Sequence, residues 1–371
     1  MAGGLFMSEK LLPVDVIKAG CFAYPHNINL RGFKPRNDNK HQLYKLVTLK
    51  NGSIVTLNYN TDFQYFSVRA SVPKVLYGCN TCNLHQAYTE HFIKIVNEIL
   101  TQENIDLNFE EFKISLLEAS YNYICKSKKD KQDYIEFFSK QSVSRKNKEL
   151  YETSVVYKNK QDRLTIYDKS EEILAKNPLA DISEVTEKML RVEYTLNKKS
   201  IKKYYKNLTV GIFLREFDLE KIFLKENIRS GLNLKALNRK EFYTVLRRQI
   251  KNKRKHTQNK IIKFYKCLNK FGEEYTKDNY TKYQISSYKK LMTELGYSPF
   301  YLNNSTNRID FMSLNQKIDI ESVRIEMKKV CKLIFKKKHK NKLFKFNVRD
   351  TLSQFSRCSF FQKIFKFFDT S

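Results

Sequence analysis

Short runs of β-forming residues separated by polar turns occupy roughly the first 200 residues of the chain and limit what it can fold into. Residues 43–49, 54–59 and 65–70 are rich in Val, Thr, Tyr and Leu. Asn51-Gly52 lies between the first two runs, and this dipeptide between alternating apolar runs is a strong hairpin signal. The N-terminal part of the chain is therefore predicted to form antiparallel strands.

The following residues add one amphipathic helix and more strands. Residues 88–100 carry apolar side chains at the spacing of a helix with one buried face. Residues 112–123 resemble a long strand, residues 151–157 and 164–168 a second hairpin, and residues 190–196 a further strand. We therefore predict the α+β class, an antiparallel β-sheet covered by helices.

From about residue 198 the strand patterns give way to helical spacing with dense lysine. We predict two domains, one over residues 1–210 and a basic, all-helical C-terminal region over residues 211–371. Lys and Arg total 69 against 39 acidic residues, a formal net charge of +30. This balance favours a polyanionic partner, most commonly nucleic acid. The alternative is a merely basic surface that reflects an AT-rich genome, which enriches lysine together with Asn, Ile, Phe and Tyr.

Two clusters in the C-terminal region interleave basic with apolar residues. Each predicts contacts to phosphates, and a solvated helix face is the alternative. The clusters are Arg247, Arg248, Lys251, Lys253, Arg254 and Lys255, and Lys336, Lys337, Lys338, Lys340 and Lys342.

Several motifs are missing from the sequence, and their absence argues against whole classes of protein. The chain has no P-loop, no Gly-x-Ser-x-Gly, no dinucleotide fingerprint and no His-hydrophobic-His pair. It also has no apolar run of membrane-spanning length, and its seven cysteines lack the spacing of a disulfide framework. We therefore predict a cytoplasmic protein without a membrane segment. Cys79, Cys82, His85 and His91 form a weak zinc candidate, since their spacing is not that of a zinc finger.

Charged residues at the ends of two predicted strands form a candidate metal site. Asp168 and Lys169 end the first strand and Glu172 follows it, while Arg191 and Glu193 share one face of the second because side chains alternate along a strand. If the strands are neighbours, Asp168 or Glu172 can approach Glu193, and clustered carboxylates suit Mg²⁺ or Mn²⁺. The alternative is a polar strand face with ion pairs to Lys169 and Arg191.

A tyrosine pair follows the second of these strands. Tyr204 and Tyr205 lie in a helix-like stretch beside Lys202, Lys203 and Lys206. A tyrosine hydroxyl can attack a phosphate and hold the DNA end as an ester, and neighbouring cations stabilise the charge that develops. The alternative is a tyrosine pair packed in a helical core.

Several of these segments resemble one family. Residues 71–80 (SVPKVLYGCN) resemble the S-L-P-K-F-L-Y-G-N-N signature of phage and plasmid replication proteins grouped with the filamentous-phage gene II/X protein. Residues 167–172 (YDKSEE) and 190–193 (LRVE) resemble its Y-D-K-x-x-E and L-R-x-E motifs, in the same order. The Tyr204-Tyr205 pair is similar to the one that follows the R-x-E strand in staphylococcal-type rolling-circle plasmid initiators. The resemblance covers about residues 13–210.

The resemblance implies a rolling-circle replication initiator that nicks and rejoins one DNA strand at an origin. It implies a covalent tyrosyl-DNA intermediate, dependence on Mg²⁺ or Mn²⁺, and strand rejoining after displacement synthesis. The roles that follow are metal binding by Asp168, Glu172 and Glu193, nucleophilic attack by Tyr204 or Tyr205, charge neutralisation by Lys169 and Arg191, and DNA contacts by Lys74 and the two basic clusters.

The implied partners are single-stranded DNA, origin duplex DNA, and a host helicase and polymerase, since no helicase motif occurs in the sequence. One departure supports a second hypothesis, because Leu117 or Glu118 occupies the usual acidic position of the family's R-I-D-I-A-x-N strand. A protein that kept the fold and lost the chemistry would be a non-catalytic origin-binding or copy-number regulator. An RNA-binding module has only the basic composition in its favour.

Overall fold

The structure is a computed structural model. It describes residues 11–303, apart from residues 13, 38, 81–83, 86–87, 181 and 217–218. The second basic cluster predicted from the sequence, between residues 336 and 342, therefore lies outside the described residues. None of the helices in the described part of the chain has both the length and the apolar composition needed to cross a bilayer.

Strands and helices contain similar numbers of residues up to residue 230, and helices predominate beyond it. The strands are, in chain order, β1 (Leu11–Leu12), β2 (Val14–Phe22), β3 (Lys34–Arg36), β4 (Asn39–Thr48), β5 (Ile54–Asn60), β6 (Tyr65–Ser71), β7 (Leu84–His85), β8 (Lys113–Ile124), β9 (Asn147–Tyr151), β10 (Ser154–Lys158), β11 (Asp162–Asp168), β12 (Met189–Asn197), β13 (Lys235–Asn238) and β14 (Tyr297–Leu302). The helices are α1 (Val72–Tyr77), α2 (Thr89–Gln102), α3 (Lys128–Ser139), α4 (Lys169–Lys176), α5 (Glu184–Glu187), α6 (Lys198–Lys202), α7 (Val210–Glu216), α8 (Leu219–Ser230), α9 (Arg239–Ile250), α10 (Lys255–Asn279) and α11 (Lys282–Thr293).

One ten-stranded sheet organises the described chain, with the strand order β3-β4-β5-β6-β2-β8-β12-β11-β10-β9. Every neighbouring pair in it is antiparallel. The predicted α+β class is therefore confirmed. The predicted hairpin is confirmed as well, because β4 and β5 pair around Asn51-Gly52 and Gly52 adopts a φ of 83° that glycine tolerates without strain.

One face of the sheet is covered by helices and holds the core. α8 packs on this face through Phe223, whose ring centroid lies 3.9 Å from that of Tyr121 on β8 and 5.3 Å from that of Tyr194 on β12. α3 covers the β10–β11 end, where the Tyr157 hydroxyl donates to the carbonyl of Phe138. α2 covers the other half through a series of edge-to-face aromatic contacts that reaches Phe66 of β6. We call this side the covered face.

The opposite face carries the polar residues of the same strands. Because directly opposed residues of an antiparallel pair point to one side, Ser120 of β8 and Arg191, Glu193 and Thr195 of β12 lie together, away from Tyr121 and Tyr194. We call this side the open face, and it carries the candidate site.

The C-terminal helices pack beside α3, and β13 pairs with β14 in parallel. Phe300 of β14 meets Phe137 of α3 with ring centroids 6.4 Å apart, and Asn303 donates to Glu136 at 2.9 Å. The prediction that the region is all-helical is thus wrong at these two short strands. β14 is rich in aromatic residues and is buried against α3, α10 and α11, while β13 packs on α9 through the buried Leu237. The predicted division of the chain at residue 210 stays a prediction.

Candidate functional site

Arg191 lies at the centre of a polar cluster on the open face. The guanidinium is fully buried and donates to the Asp15 carboxylate, to the Ser120 hydroxyl at 2.8 Å and to the Asn80 carbonyl at 2.5 Å. Its Nε lies 3.5 Å from a Glu193 oxygen. Burial lowers the pKa of Arg191, but Asp15, Tyr167 and Glu193 outweigh this effect and raise it overall. The side chain is therefore a permanent cation that holds carboxylates from two strands, Asp15 of β2 and Glu193 of β12.

Asp15 reaches this cluster through a β-bulge. The register of β2 against β8 shifts between Val14, which pairs with Ala119, and Val16, which pairs with Glu118. A bulge inserts an extra residue and can redirect its side chain. The Asp15 carboxylate consequently faces Arg191 on the open face.

The signature segment at residues 71–80 borders the cluster at both of its ends. The Ser71 hydroxyl donates to Asp15 at 2.7 Å, and the Asn80 amide donates to the same carboxylate at 3.2 Å. The α1 helix between them ends at Gly78, and Asn51 of the β4–β5 turn donates to its carbonyls at residues 74 and 75, both at 3.1 Å. The segment that carries the resemblance is therefore built into the site.

Two further carboxylates lie on the open face and are partly exposed. Glu118 of β8 pairs in register with Thr195, two residues along β12 from Glu193, and its oxygen lies 3.4 Å from Arg69. Burial raises the pKa of Glu118 to about 7, and the charges of Glu193 and Asp15 add to the rise. Glu193 accepts a hydrogen bond from the Tyr167 hydroxyl at 3.2 Å. Burial, with the nearby carboxylates, also raises the pKa of that phenol.

Lys169 closes the cluster on the side of α4. Its ammonium is buried and donates to the Asn80 side chain at 3.0 Å and to Glu172 at 2.6 Å. Burial lowers the pKa of Lys169 to about 7, and the Arg191 charge adds to this effect. Lys176 also binds Glu172, and burial together with the charge of Lys74 lowers the pKa of Lys176. Lys74 and Lys176 therefore place positive charge at the rim of the site. We call the set Asp15, Asn80, Glu118, Tyr167, Lys169, Arg191 and Glu193 the polar cluster.

Asp168 lies outside the polar cluster. Its carboxylate is buried against the Lys131 ammonium at 2.5 Å and accepts from the backbone N–H groups of Ser170 and Glu171 as the N-cap of α4. In β11 it pairs with Leu190, whose side chain lies on the covered face.

The predicted metal ligands therefore do not converge. Glu193 lies in the polar cluster, Glu172 lies at its edge with its carboxylate engaged by two lysines, and Asp168 is held elsewhere. In the described part of the chain, no group of three or more His, Cys, Asp or Glu side chains is placed to hold a metal ion. The zinc candidate is not described as a whole, since Cys82 and the side chain of His85 lie outside the described residues. Within the polar cluster, Arg191 holds Asp15 and Glu193, and Lys169 holds Glu172 at its edge.

The two predicted nucleophiles follow β12 at the end of α6 and differ in their surroundings. The Tyr204 hydroxyl donates to Glu226 of α8 at 2.8 Å, and α8 lies on the covered face. The sheet therefore separates this hydroxyl from Glu193. Tyr205 is 40% exposed.

The first predicted basic cluster forms one exposed surface. Arg247 and Arg248 end α9, Lys251, Lys253 and Arg254 form the turn, and Lys255 begins α10. The side chains of all six residues are exposed. This arrangement is suited to phosphate contacts, and the DNA-binding role of these residues and of Lys74 stays a prediction.

Residues 46–214 match a phage family described as the N-terminal region of a replication-associated protein, the gene II protein. This segment belongs to that replication-associated family. The assignment confirms the resemblance to filamentous-phage gene II replication initiators and supports a role in initiating DNA replication. Comparisons with curated proteins and with solved structures gave no significant match.

The family match spans the signature segment, most of the polar cluster and the tyrosine pair, but not Asp15. Sequence reasoning missed Asp15 and gave Tyr167 and Asn80 no role. A signal for Asp15 was present, because a single carboxylate within the apolar run at residues 11–17 needs a partner when the run is buried. The partner, Arg191, lies 176 residues away and cannot be inferred from spacing.

The raised pKa of Glu118 predicts a pH-dependent stability. The pKa of Glu118 is raised from its ordinary value of 4.5 to about 7 in the folded protein. The contribution of this group to the free energy of unfolding is therefore greatest below pH 4.5 and is lost as the pH rises through 7. Glu118→Gln removes this loss. The free energy of unfolding of the variant should therefore be about 2 kcal/mol higher than that of the parent protein at pH 8, and closer to it at pH 5. Urea unfolding at both values measures this, with the exposed Glu152→Gln as control. No gain at pH 8 would contradict the electrostatic origin.

Proposed function

We propose that this replication initiator nicks one strand of DNA at an origin through a tyrosine nucleophile and later rejoins it. The observation that carries the proposal is the polar cluster, where Asp15, Glu118 and Glu193 lie around Arg191 on the open face. The family signature ends in this cluster at Asn80, and the family match adds a role in replication. Burial raises the pKa of Glu118 and lowers that of Lys169, and buried groups with shifted pKa values beside other charges are typical of sites that move protons.

The proposed reaction is a transesterification. A tyrosine oxygen attacks phosphorus, the bond from phosphorus to the 3′ oxygen breaks, and the 5′ end stays on the protein as a phosphotyrosine ester. The phenol proton passes to a carboxylate, and the leaving 3′ oxygen takes up a proton. Rejoining reverses these steps without ATP because the ester conserves the bond energy. Glu118, with a pKa of about 7 and 15% of its side chain exposed, is suited to take up and release a proton near neutral pH.

Arg191 and Lys169 act as positioning residues in this proposal. Both are buried, so they set the orientation and charge of Asp15, Glu193 and Glu172 rather than contacting the phosphate. Positive charge for the incoming phosphate is available at the rim from Lys74, Lys176 and Arg69. A requirement for Mg²⁺ or Mn²⁺ stays a prediction, as does metal binding by Asp168, Glu172 and Glu193.

Of the tyrosine pair, we propose Tyr205 as the nucleophile. Its ring is 40% exposed, whereas the Tyr204 hydroxyl is bound to Glu226 on the covered face. Tyr205→Phe should therefore abolish the covalent adduct, and Tyr204→Phe should keep most of it. Tyr167→Phe should keep the adduct at a reduced rate, because its hydroxyl holds Glu193.

The measurement is adduct formation. The purified chain is incubated with single-stranded DNA from its own replication origin in Mg²⁺, in Mn²⁺ or in EDTA, then denatured and separated. Peptide mapping of the labelled band locates the ester. An adduct that survives Tyr205→Phe and disappears with Tyr204→Phe would reverse the assignment, and equal yields in EDTA would remove the metal requirement.

No adduct with any origin oligonucleotide, while DNA binding persists, would instead support the origin-binding or copy-number regulator. That alternative has one observation in its favour, since the Asp15 and Glu193 carboxylates are already held by the buried Arg191 side chain. Both functions involve origin duplex and single-stranded DNA, and the initiator also needs a host helicase and polymerase. Both also fit the cytoplasm.

A further inference from the structure

A strip of the open face extends from the polar cluster to one end of the sheet along β2 and β6. In β2, Val16, Lys18, Gly20 and Phe22 alternate onto this face, and each pairs with a residue of β6. The strip begins where Val16 opposes Glu118 and ends where Phe22 opposes Tyr65. The six residue steps from Val16 to Phe22 cover about 20 Å.

Positive charge lines the first half of the strip. Lys18 and Arg69 are opposed in register, and the side chain of Arg69 is 51% exposed. Burial, with the charges of Arg36 and Arg69, lowers the pKa of Lys18. Glu118, which lies 3.4 Å from Arg69, brings one carboxylate to the two cations, so the strip keeps a net positive charge.

Aromatic rings occupy the far end. Phe22 is 82% exposed and meets Tyr65 edge to face with ring centroids 5.9 Å apart. Phe63, 71% exposed, lies in the turn before β6, and this turn is tied to the end of β2 by the N–H of Ala23 donating to the carbonyl of Gln64 at 2.8 Å. Tyr24 follows at 62% exposure. Large aromatic rings grouped at one end of a sheet are unfavourable when they are exposed to water, and such patches commonly mark a binding site.

Gly20 lets the Tyr65 ring lie flat along the strip. A Cβ placed at Gly20 would come within 2.8 Å of Tyr65 Cε1 and 2.4 Å of the Phe66 carbonyl oxygen. The ring therefore occupies the space that a side chain would need. Its position between the cations and Phe22 makes the strip continuous.

We infer that this strip binds single-stranded DNA, with Lys18 and Arg69 contacting phosphates and Phe22, Phe63 and Tyr65 stacking on bases. The chemistry favours an unpaired DNA strand, because only unpaired bases expose their faces for stacking on aromatic side chains. The cations of the strip lie beside these rings, where they can contact the phosphate backbone of the same strand. The inference rests on the proposed function, because a DNA strand bound along the strip would lead to the polar cluster where nicking is proposed.

The test is binding of a (dT)20 oligonucleotide followed by fluorescence anisotropy in EDTA, so that no cleavage is needed. Phe22→Ala/Phe63→Ala should weaken binding at least about tenfold, since one base stacked on a ring contributes roughly five- to hundredfold. Affinity for a duplex of the same length should change less than about twofold. Tyr283→Ala/Phe271→Ala is the matched control, because these rings are 82% and 51% exposed on the C-terminal helices.

A second variant tests the charged half of the strip. Lys18→Gln/Arg69→Gln should reduce the slope of log affinity against log salt by about 1.4, at about 0.7 for each phosphate of a single strand that the protein no longer neutralises. Unchanged (dT)20 affinity in Phe22→Ala/Phe63→Ala, or an equal loss in the control, would overturn the inference. A failed adduct assay with intact strip effects would overturn the nicking proposal alone.

Discussion

Arg191→Met should lower the free energy of unfolding by about 3–5 kcal/mol, because it leaves the buried Asp15 carboxylate without its cation. The variant also removes donors to Ser120 and to the Asn80 carbonyl. Methionine is long enough to fill most of the volume, so the loss would reflect charge and hydrogen bonds more than a cavity. Urea unfolding at pH 7 measures it.

Arg163→Met is the matched control for this change. Arg163 lies on the neighbouring strand β11 and is exposed, so its replacement should cost under about 0.5 kcal/mol. Combining Arg191→Met with Asp15→Asn should recover much of the stability, because the buried charge is then removed with its partner. A double variant as unstable as Arg191→Met alone would show that the hydrogen bonds, rather than the charge pair, hold the cluster together.

Lys131→Met should lower the free energy of unfolding by a similar amount, about 3–5 kcal/mol. The Lys131 ammonium is fully buried and donates to Asp168 at 2.5 Å, to the Ser170 hydroxyl at 2.9 Å and to the carbonyl of Glu187 at 2.5 Å. Its loss leaves the Asp168 carboxylate buried and unpaired at the start of α4. Guanidinium unfolding and thermal melting at pH 7 report the change.

Lys129→Met is the control, since Lys129 is exposed in the same helix. Lys131→Met/Asp168→Asn should be more stable than Lys131→Met alone, because asparagine caps a helix about as well as aspartate without carrying a charge. If Asp168 instead serves as a metal ligand, Asp168→Asn in the otherwise unchanged protein should abolish metal-dependent adduct formation. A retained adduct would assign Asp168 to the fold alone.

Much of the sheet could be predicted from local patterns. The Asn51-Gly52 hairpin, the amphipathic helix α2 and the strands β8, β11 and β12 follow from short-range periodicity, which adjacent residues determine. The parallel pair β13–β14 did not, because its two strands are short and lie about 60 residues apart in the chain, so only burial of β14 against α3, α10 and α11 brings them together.

The candidate site was predictable only in part. Period two correctly placed Arg191 and Glu193 on one face, and β11 and β12 are neighbours as the hypothesis required. The same reasoning gave Asp168 to the metal site, yet the end of a strand is where the chain turns, and there the carboxylate caps α4 and meets Lys131 instead.

Composition and periodicity in the sequence determined the class of fold, the hairpins, the basic character and the signature that relates residues 46–214 to replication initiators. These properties depend on residues close together in the chain. Tertiary structure alone decided that a bulge turns Asp15 towards Arg191, that Tyr204 lies behind the sheet, and that Phe22, Lys18 and Arg69 form one strip. The reason is physical: each of these contacts joins residues far apart in sequence, and it exists only after strand register and burial bring them to one face.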